Sequence, residues 1–321
     1  MKYKICILIC YFGKLPSTFN IWRKSCNNNS DIDFLLFTDQ AIEKKEDNLQ
    51  IYNCSLADIK ELAKSKLELE EIELSSAYKL CDYKAMYGVI FSDYLKGYDF
   101  WGICDMDMIF GKISDFLSNE ILEKYDKIYQ LGHLTLYRNA EEVNNRFKIK
   151  GYCDWKEVVA APTHFRLCER GMMRKYELAG IPVYKQRDYA DISKIHKRYQ
   201  LSHWLVPKQE KDKFKYQLFY SDRGHIFRCI YVDKKLIVEE FNYIHLQKRK
   251  IAVDGEIGDC FYISSDKLIP KKPGVPKVDE ILKLNPYISR GYEIYECIIY
   301  EIKTKNIFKR YISRIFRRRK G

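Results

Sequence analysis

Apolar positions in the first third of the chain fall into two kinds of run. The blocks "KICILIC" (4–10) and "DIDFLLFTD" (31–39) are apolar without alternation, as in strands covered on both faces. Between and after them apolar residues recur at helical spacing. "YFGKLPS" reads as a loop, and Ser17 stands where it can cap a short helix to about Cys26. Ser55 and Asp58 have capping-box spacing ahead of the helix "IKELAKSKLELEE". In "AYKLCDYKAMYGVIFSDYL", Leu80, Tyr83, Tyr87, Ile90, Phe91 and Tyr94 fall on one helical face. The next run, "DFWGICDMDMIFGK" (99–112), reads as a strand carrying two aspartates. The order β-α-β-α-α-β predicts an α/β fold, a mostly parallel central sheet flanked by helices. Sites in such sheets lie beyond the carboxyl ends of the strands. "ICYFG", "FTD" and "CDMD" all fall there.

Further along, "KIYQLGHLTLYRN" (127–139) predicts one or two strands with Gly132 at a turn, and "AEEVNNRFKIK" a helix. Residues 151–200 follow no clear period. "HIFRCIYVDKKLIVEEFNYIHLQKRK" (225–250) reads as strands around the turn "VDKK". The three prolines and one glycine of "PKKPGVPK" continue neither helix nor strand. They predict a main domain over 1–269, a linker over 270–277 and a helical basic appendage over 278–321.

Composition adds a core and a lopsided charge. Of 321 residues, 46% are hydrophobic, enough for a sizeable interior. The net charge is +12, yet residues 302–321 alone hold nine Lys or Arg and no acid. The rest is nearly balanced, which argues against a nucleic-acid-binding surface. In the tail, Ile307, Phe308, Tyr311, Ile312, Ile315 and Phe316 form one apolar stripe at helical spacing. Residues 303–321 are therefore expected to lie on an anionic membrane surface. The alternative is a stripe docked on the protein body with its basic face in water. Eleven dispersed cysteines, with no C-x-x-C pair and no zinc spacing, read as free thiols in a reducing compartment. The N-terminal apolar run is too short for a signal peptide and lacks a small-residue cleavage site, and no stretch approaches 18 apolar residues. The expected location is the cytoplasm, at the inner face of the membrane.

Two clusters carry chemistry. Asp105 and Asp107 stand one residue apart in an apolar run, where like charges repel and lose water. A shared Mg²⁺, Mn²⁺ or Ca²⁺ would relieve that repulsion, and hard oxygen ligands suit these ions. The alternative is a solvated pair in a loop. The second cluster is "EFNYIHLQKRK". His245 ends an apolar strand and can ligate a metal as a neutral imidazole. Lys248, Arg249 and Lys250 can hold a diphosphate. The alternative there is a surface histidine before a solvated basic run.

"WGICDMDMIFG" resembles the D-x-D strand of GT-A glycosyltransferases. Together with "KLCDYKAMYGVIFSDYLKGYDFWGICDMDMIFG", "GHLTLYRN" and "YIHLQKRK", in that order, it is similar to a bacterial GT-A-like family of surface-polysaccharide (capsule and lipopolysaccharide O-antigen) biosynthesis, over about residues 3–255. The resemblance implies a metal-dependent glycosyltransferase of hexosyltransferase type. Its donor would be a nucleotide sugar (a UDP-sugar), its cation Mn²⁺ or Mg²⁺, and its acceptor a glycan or lipid-linked oligosaccharide. It assigns Asp105 to the ribose or the metal, Asp107 and His245 to the metal, and Lys248 to the diphosphate. Tyr11, Phe12, Thr38 and Asp39 would frame the nucleotide, and Lys79, Asp82 and Lys84 would reach the donor from the preceding helix. For that trio an ordinary charged helix face is the alternative.

Where the family carries a Phe-Asp-Glu-like segment, this chain has "FRLCERG", with Cys168 replacing the Asp and Glu169 retained. Glu169 is the candidate general base, with Asp154 and Glu157 as fallbacks. Two other readings keep the same residues: a sugar-phosphate or nucleotidyl transferase, and a non-catalytic membrane-associated scaffold.

Overall fold

The first apolar block forms strand β1 (Ile5–Tyr11), the central strand of a six-stranded sheet in a computed structural model that describes residues 2–193, 195, 199–202, 214–253 and 255–304. The chain divides into two compact units, Met1–Asp188 and Tyr189–Gly321. In the first, β1 pairs in parallel with β2 (Ile32–Thr38) and with β4 (Phe100–Cys104), and β2 with β3 (Leu49–Asn53). The sheet order is β3-β2-β1-β4-β7-β6, with β6 (Lys127–Ile128) and β7 (Leu134–Arg138). Only β7 runs against the rest, through antiparallel pairs with β4 and β6. Ile5, Cys6, Ile7 and Leu8 are all buried, which is why β1 shows no alternation. The first unit is thus α/β with a largely parallel sheet, as the sequence predicts.

Helices cover this sheet through aromatic side chains. Phe37 of β2 stacks on Tyr52 at 4.8 Å and meets Phe91 at 4.6 Å. The segment 77–90 is a chain of short α and 3₁₀ turns, and it buries Leu80, Tyr83, Tyr87 and Ile90, with Phe91 just after it, as the spacing predicts. Tyr94 stays 37% exposed. Gly88 lets this segment close on β4, since a Cβ there would stand 2.7 Å from the Trp101 ring. Ser55 and Asp58 form the expected capping box on helix Leu56–Leu67. The first helix is Phe19–Asn27, with Thr18 at the cap position, one residue past the predicted Ser17, and no cap bond from the Thr18 side chain.

The second unit folds by a different rule. Strands β9 (Tyr216–Asp222), β10 (His225–Val232) and β11 (Lys235–Phe241) form an antiparallel meander. Its two-residue hairpins put both central residues in the left-handed region: Arg223 and Gly224 (φ 52° and 83°), then Asp233 and Lys234 (φ 50° and 60°). That geometry matches the twist of the flanking strands. The sheet continues through β14 (Phe261–Ile263) and β15 (Lys267–Pro270) to β13 (Ala252–Val253). A short parallel pair joins β8 (Ala190–Asp191) to β12 (Tyr243–His245).

The boundary expected at 270–277 is not where the units part. Pro270 pairs with Phe261 as the last residue of β15, a strand end that tolerates a missing N–H. The Gly274 N–H donates to Asp222 at 2.8 Å. Helix Val278–Leu284 then buries Ile281 among Leu218, Tyr220, Cys229 and Tyr262. Asn285, fully buried, donates to the carbonyls of Tyr199 and Gln217, each at 2.8 Å. These contacts make 278–285 part of the second unit's core, and the chain divides after Asp188 instead. Of the expected membrane segment 303–321, residues 305–321 lie outside the described residues. Among the described residues no helix is long and apolar enough to cross a membrane. All eleven cysteines are free thiols.

Candidate active site

The D-x-D motif departs from its predicted geometry. β4 ends at Cys104 and the chain re-enters a strand, β5 (Met108–Phe110), only at Met108. Asp105 and Asp107 therefore lie in a bend, half-buried, around a Met106 that is buried in the core. The Asp105 N–H donates to the His133 carbonyl at 2.9 Å, which prolongs the β4–β7 ladder by one bond and fixes the start of the bend. Both carboxylates thus project from the carboxyl end of β4.

Three neighbours share this rim. Lys84 reaches Asp105 Oδ1 through a short ion pair and lies 3.4 Å from the Cys104 carbonyl. Burial alone would lower the Lys84 ammonium, but the charge of Asp105, with Cys81 and Cys168 nearby, holds its pKa above the ordinary lysine value. Tyr11, at the end of β1, has its phenol pKa raised by burial and then by the charge of Asp107. Its hydroxyl donates to the Lys14 carbonyl at 3.1 Å. At the end of β2, Asp39 accepts the Gly13 N–H at 2.9 Å and the Gln40 amide at 2.8 Å. The Gln40 and Gly13 bonds lower the Asp39 pKa. Gly13 has φ 93°, so this turn needs a glycine. Thr38 is fully buried and accepts the Gln40 N–H at 3.2 Å, and Phe12 packs half-buried against the core. Asp39 thus ties the loop after β1 to the end of β2.

Lys79 and Asp82 differ from the expectation that they reach a donor. They are 3% and 0% exposed and pair with each other at 2.9 Å. Lys79 also donates to the carbonyls of Val158 (2.7 Å) and Thr163 (2.8 Å). Asp82 accepts the N–H groups of Phe165 (3.0 Å) and Leu167 (3.2 Å). The pair is spent on the protein's own backbone, and the segment it pins is the one that carries Glu169.

That segment is unusual twice over. Arg166 adopts a left-handed φ of 58°, and Leu167–Gly171 forms a widened π turn. Both features are costly and concentrate at functional sites. Glu169 is exposed, and Gly132 makes room for it: a Cβ there would stand 3.1 Å from Glu169 Cγ. The Gly132 carbonyl in turn lies 3.5 Å from Lys84 Nζ. Within the first unit the structure therefore brings Glu169, Lys84 and Asp105 to one corner. Of the fallback acids, Asp154 is the cap of helix Trp155–Ala160, accepting the Lys156 N–H at 2.8 Å, and Glu157 lies exposed on that helix.

In the second unit, His245 ends β12 at 7% exposure. Its Nδ1 stands 2.8 Å from Asp191 Oδ1, and Asp191 lies directly across from it in β8. The Gln247 amide donates to the same oxygen. An Nδ1–H donated to a carboxylate fixes the neutral tautomer that carries its lone pair on Nε2, the arrangement usual for metal-binding histidines. Gln247 and Lys248 follow in a tight turn, both left-handed at φ 55° and 59°, closed by the Arg249 N–H on the Leu246 carbonyl at 3.1 Å. Lys248 is exposed on it. Arg249 is turned inward over the Tyr199 ring at 4.8 Å and donates to the Ser193 carbonyl.

Asp191 and Gln247 are the residues that sequence reasoning missed, and Gly132 was read only as a turn. Asp191 sits in the stretch with no clear period; the only signal was a lone acid in the apolar run "YADIS". No curated protein matches the chain. A family model matches residues 7–272, a span that includes the rim, the Glu169 segment and β12: the chain belongs to DUF6625, a family of unknown function.

Proposed function

We propose that this chain is a metal-dependent GT-A-type glycosyltransferase that moves a sugar from a nucleotide-diphosphate donor to a surface-polysaccharide acceptor. One observation carries the reading. Two carboxylates are held at the carboxyl end of β4, beside the ends of β1 and β2, with a lysine fixing the first of them. A parallel sheet with a strand order that reverses at β1 and β4 takes ligands at that edge.

Asp105 and Asp107 offer hard oxygens that suit Mn²⁺ or Mg²⁺, and His245, held by Asp191 with Nε2 as its open nitrogen, is the further ligand that the resemblance implies. A cation held there would neutralise the negative charge that collects on the leaving diphosphate. Lys84 keeps Asp105 oriented toward the rim. Lys248, exposed on its left-handed turn, is the residue that the resemblance implies for the diphosphate. Tyr11 and the Asp39-braced loop frame the nucleotide, a UDP-sugar. Glu169, kept open by Gly132, accepts the proton of the attacking acceptor hydroxyl. A lipid-linked acceptor is in keeping with the basic tail, and helix Arg290–Lys303 leading into it leaves Ile294, Ile298 and Ile302 about half exposed.

The test is thermal unfolding with a panel of nucleotide sugars, with and without Mn²⁺, read beside product analysis. The wild-type chain should be stabilised by one of them only when Mn²⁺ is present. Asp107→Asn should lose that response while its ligand-free unfolding midpoint stays in place. Asp191→Asn should weaken Mn²⁺ binding about 10–100-fold. Equal stabilisation of Asp107→Asn, or a response indifferent to the metal, rejects the proposal. Phosphate retained on the transferred sugar would reassign the chain to sugar-phosphate transfer.

A further inference from the structure

Strand β11 is the outer strand of the second unit's sheet, with no further neighbour among the described residues. It carries three consecutive aliphatic residues, Leu236, Ile237 and Val238, exposed by 42, 44 and 42%. Neighbouring residues on a strand point to opposite faces. Among the described residues both faces of β11 are therefore open along this run, next to a row of backbone N–H and C=O groups with no strand beyond it. Natural sheets normally blunt such an edge with charge, proline or cover.

The charges beside this run are ordered. Lys234 and Lys235 precede it, and Glu239 and Glu240 follow it. We propose that β11 pairs antiparallel with β11 of a second copy of this chain, about a two-fold axis at Ile237. In that register Ile237 faces Ile237, Leu236 faces Val238 and Lys235 faces Glu239, while Lys234, in the hairpin turn, lies beyond the last ladder pair on the side of Glu240. The segment is its own complement. A shift of one residue is excluded by symmetry, because adjacent pairs alternate between hydrogen-bonded and non-hydrogen-bonded types. A shift of two residues one way sets Lys235 against Ile237, and the other way sets Leu236 against Glu240 and Ile237 against Glu239. Only the central register pairs apolar with apolar and base with acid.

The glutamates are already oriented for this. Within the chain Glu239 is held by Arg228, and Glu240 by His225 Nδ1 at 2.7 Å. Each carboxylate keeps lone pairs for a second donor. Cross-strand charge and aliphatic pairs of this kind are the unit of sheet stabilisation. A two-fold pair also closes on itself, so it yields a dimer and not a fibre.

Residues directly opposite in an antiparallel pair have Cα atoms about 4.5–5.5 Å apart, within disulfide range. The test is mild oxidation of the full-length Ile237→Cys chain, with the cross-link mapped by peptide mass spectrometry against a wild-type baseline for the eleven native cysteines. The expected result is a 237–237 link. Leu236→Cys faces Val238 and should give none, whereas Leu236→Cys mixed with Val238→Cys should link. Sedimentation equilibrium should give the mass of two chains, shifting to one in Lys235→Glu with unchanged circular dichroism. A single-chain mass for the wild type, equal linking at 236 and 237, or open-ended association would each overturn the proposal.

Discussion

Two lysines five residues apart on the same helical run, Lys79 and Lys84, each pair with an aspartate and do opposite things. Lys79–Asp82 is 3% and 0% exposed and is bonded on every side to backbone of the 158–167 segment. Lys84–Asp105 stands at the rim, with the aspartate side chain 35% exposed. A buried pair is justified only when its remaining donors and acceptors are satisfied, as they are for the first. The second pair holds less of the fold, because water and a ligand can reach Asp105, although the Lys84 side chain is only 13% exposed. The contrast separates scaffold from site: the first pair shapes the platform for Glu169, and the second presents a carboxylate.

Cutting the buried pair should have the largest effect. Asp82→Ala leaves the Lys79 ammonium buried and releases the Phe165 and Leu167 amides. It should cost about 3–5 kcal/mol in urea unfolding, whatever happens to activity. A loss below about 1 kcal/mol would remove the distinction between the pairs. Lys84→Met should do the reverse. Its unfolding free energy should move by about 1 kcal/mol or less, while Mn²⁺ affinity, followed by electron paramagnetic resonance, drops about 10–100-fold as Asp105 loses its anchor. A variant that unfolds as readily as Asp82→Ala would mark Lys84 as scaffold too.

Asp188 sharpens the comparison from a third side, because a phenol holds it: the Tyr129 hydroxyl donates to Oδ2 at 3.0 Å. Burial raises its pKa to about 6, against an ordinary unfolded value of about 3.9. The folded chain therefore keeps a proton that the unfolded chain has lost. Stability from this group is present below about pH 4 and declines as pH rises to about 6. Asp188→Asn should flatten that decline and raise stability at pH 7.5 by about 1–2 kcal/mol, measured by thermal melts across pH 4–8. An unchanged slope would mean that the carboxylate gains its own counter-charge.

The first unit was the more legible in sequence. β1 and β2 announced themselves as unbroken apolar runs because helices or neighbours cover both faces, and the Ser55–Asp58 box acts over three residues. The D-x-D pair was legible as an anomaly, charge where desolvation is expensive. Its placement in a bend was not, because "WGICDMDMIFG" is apolar throughout and period alone cannot say where pairing stops. The second unit was harder. "VDKK" marked a turn, but the proline run looked like a boundary, although the helix after it completes the sheet's core.

What the sequence determined by itself is the inventory and the local rules: which runs can be buried, where helices start, and which residues have side chains able to ligate a metal or accept a proton. Lys79, Asp82 and Lys84 are equivalent at that level, and so are Asp191 and any other acid in an unpatterned stretch. Only the tertiary structure decided that Asp82 faces backbone amides, that Lys84 faces a rim and that Asp191 lies across a strand from His245. The physical reason is that a charge's role depends on which distant groups displace its water, and that partner is chosen by the packing of the whole chain.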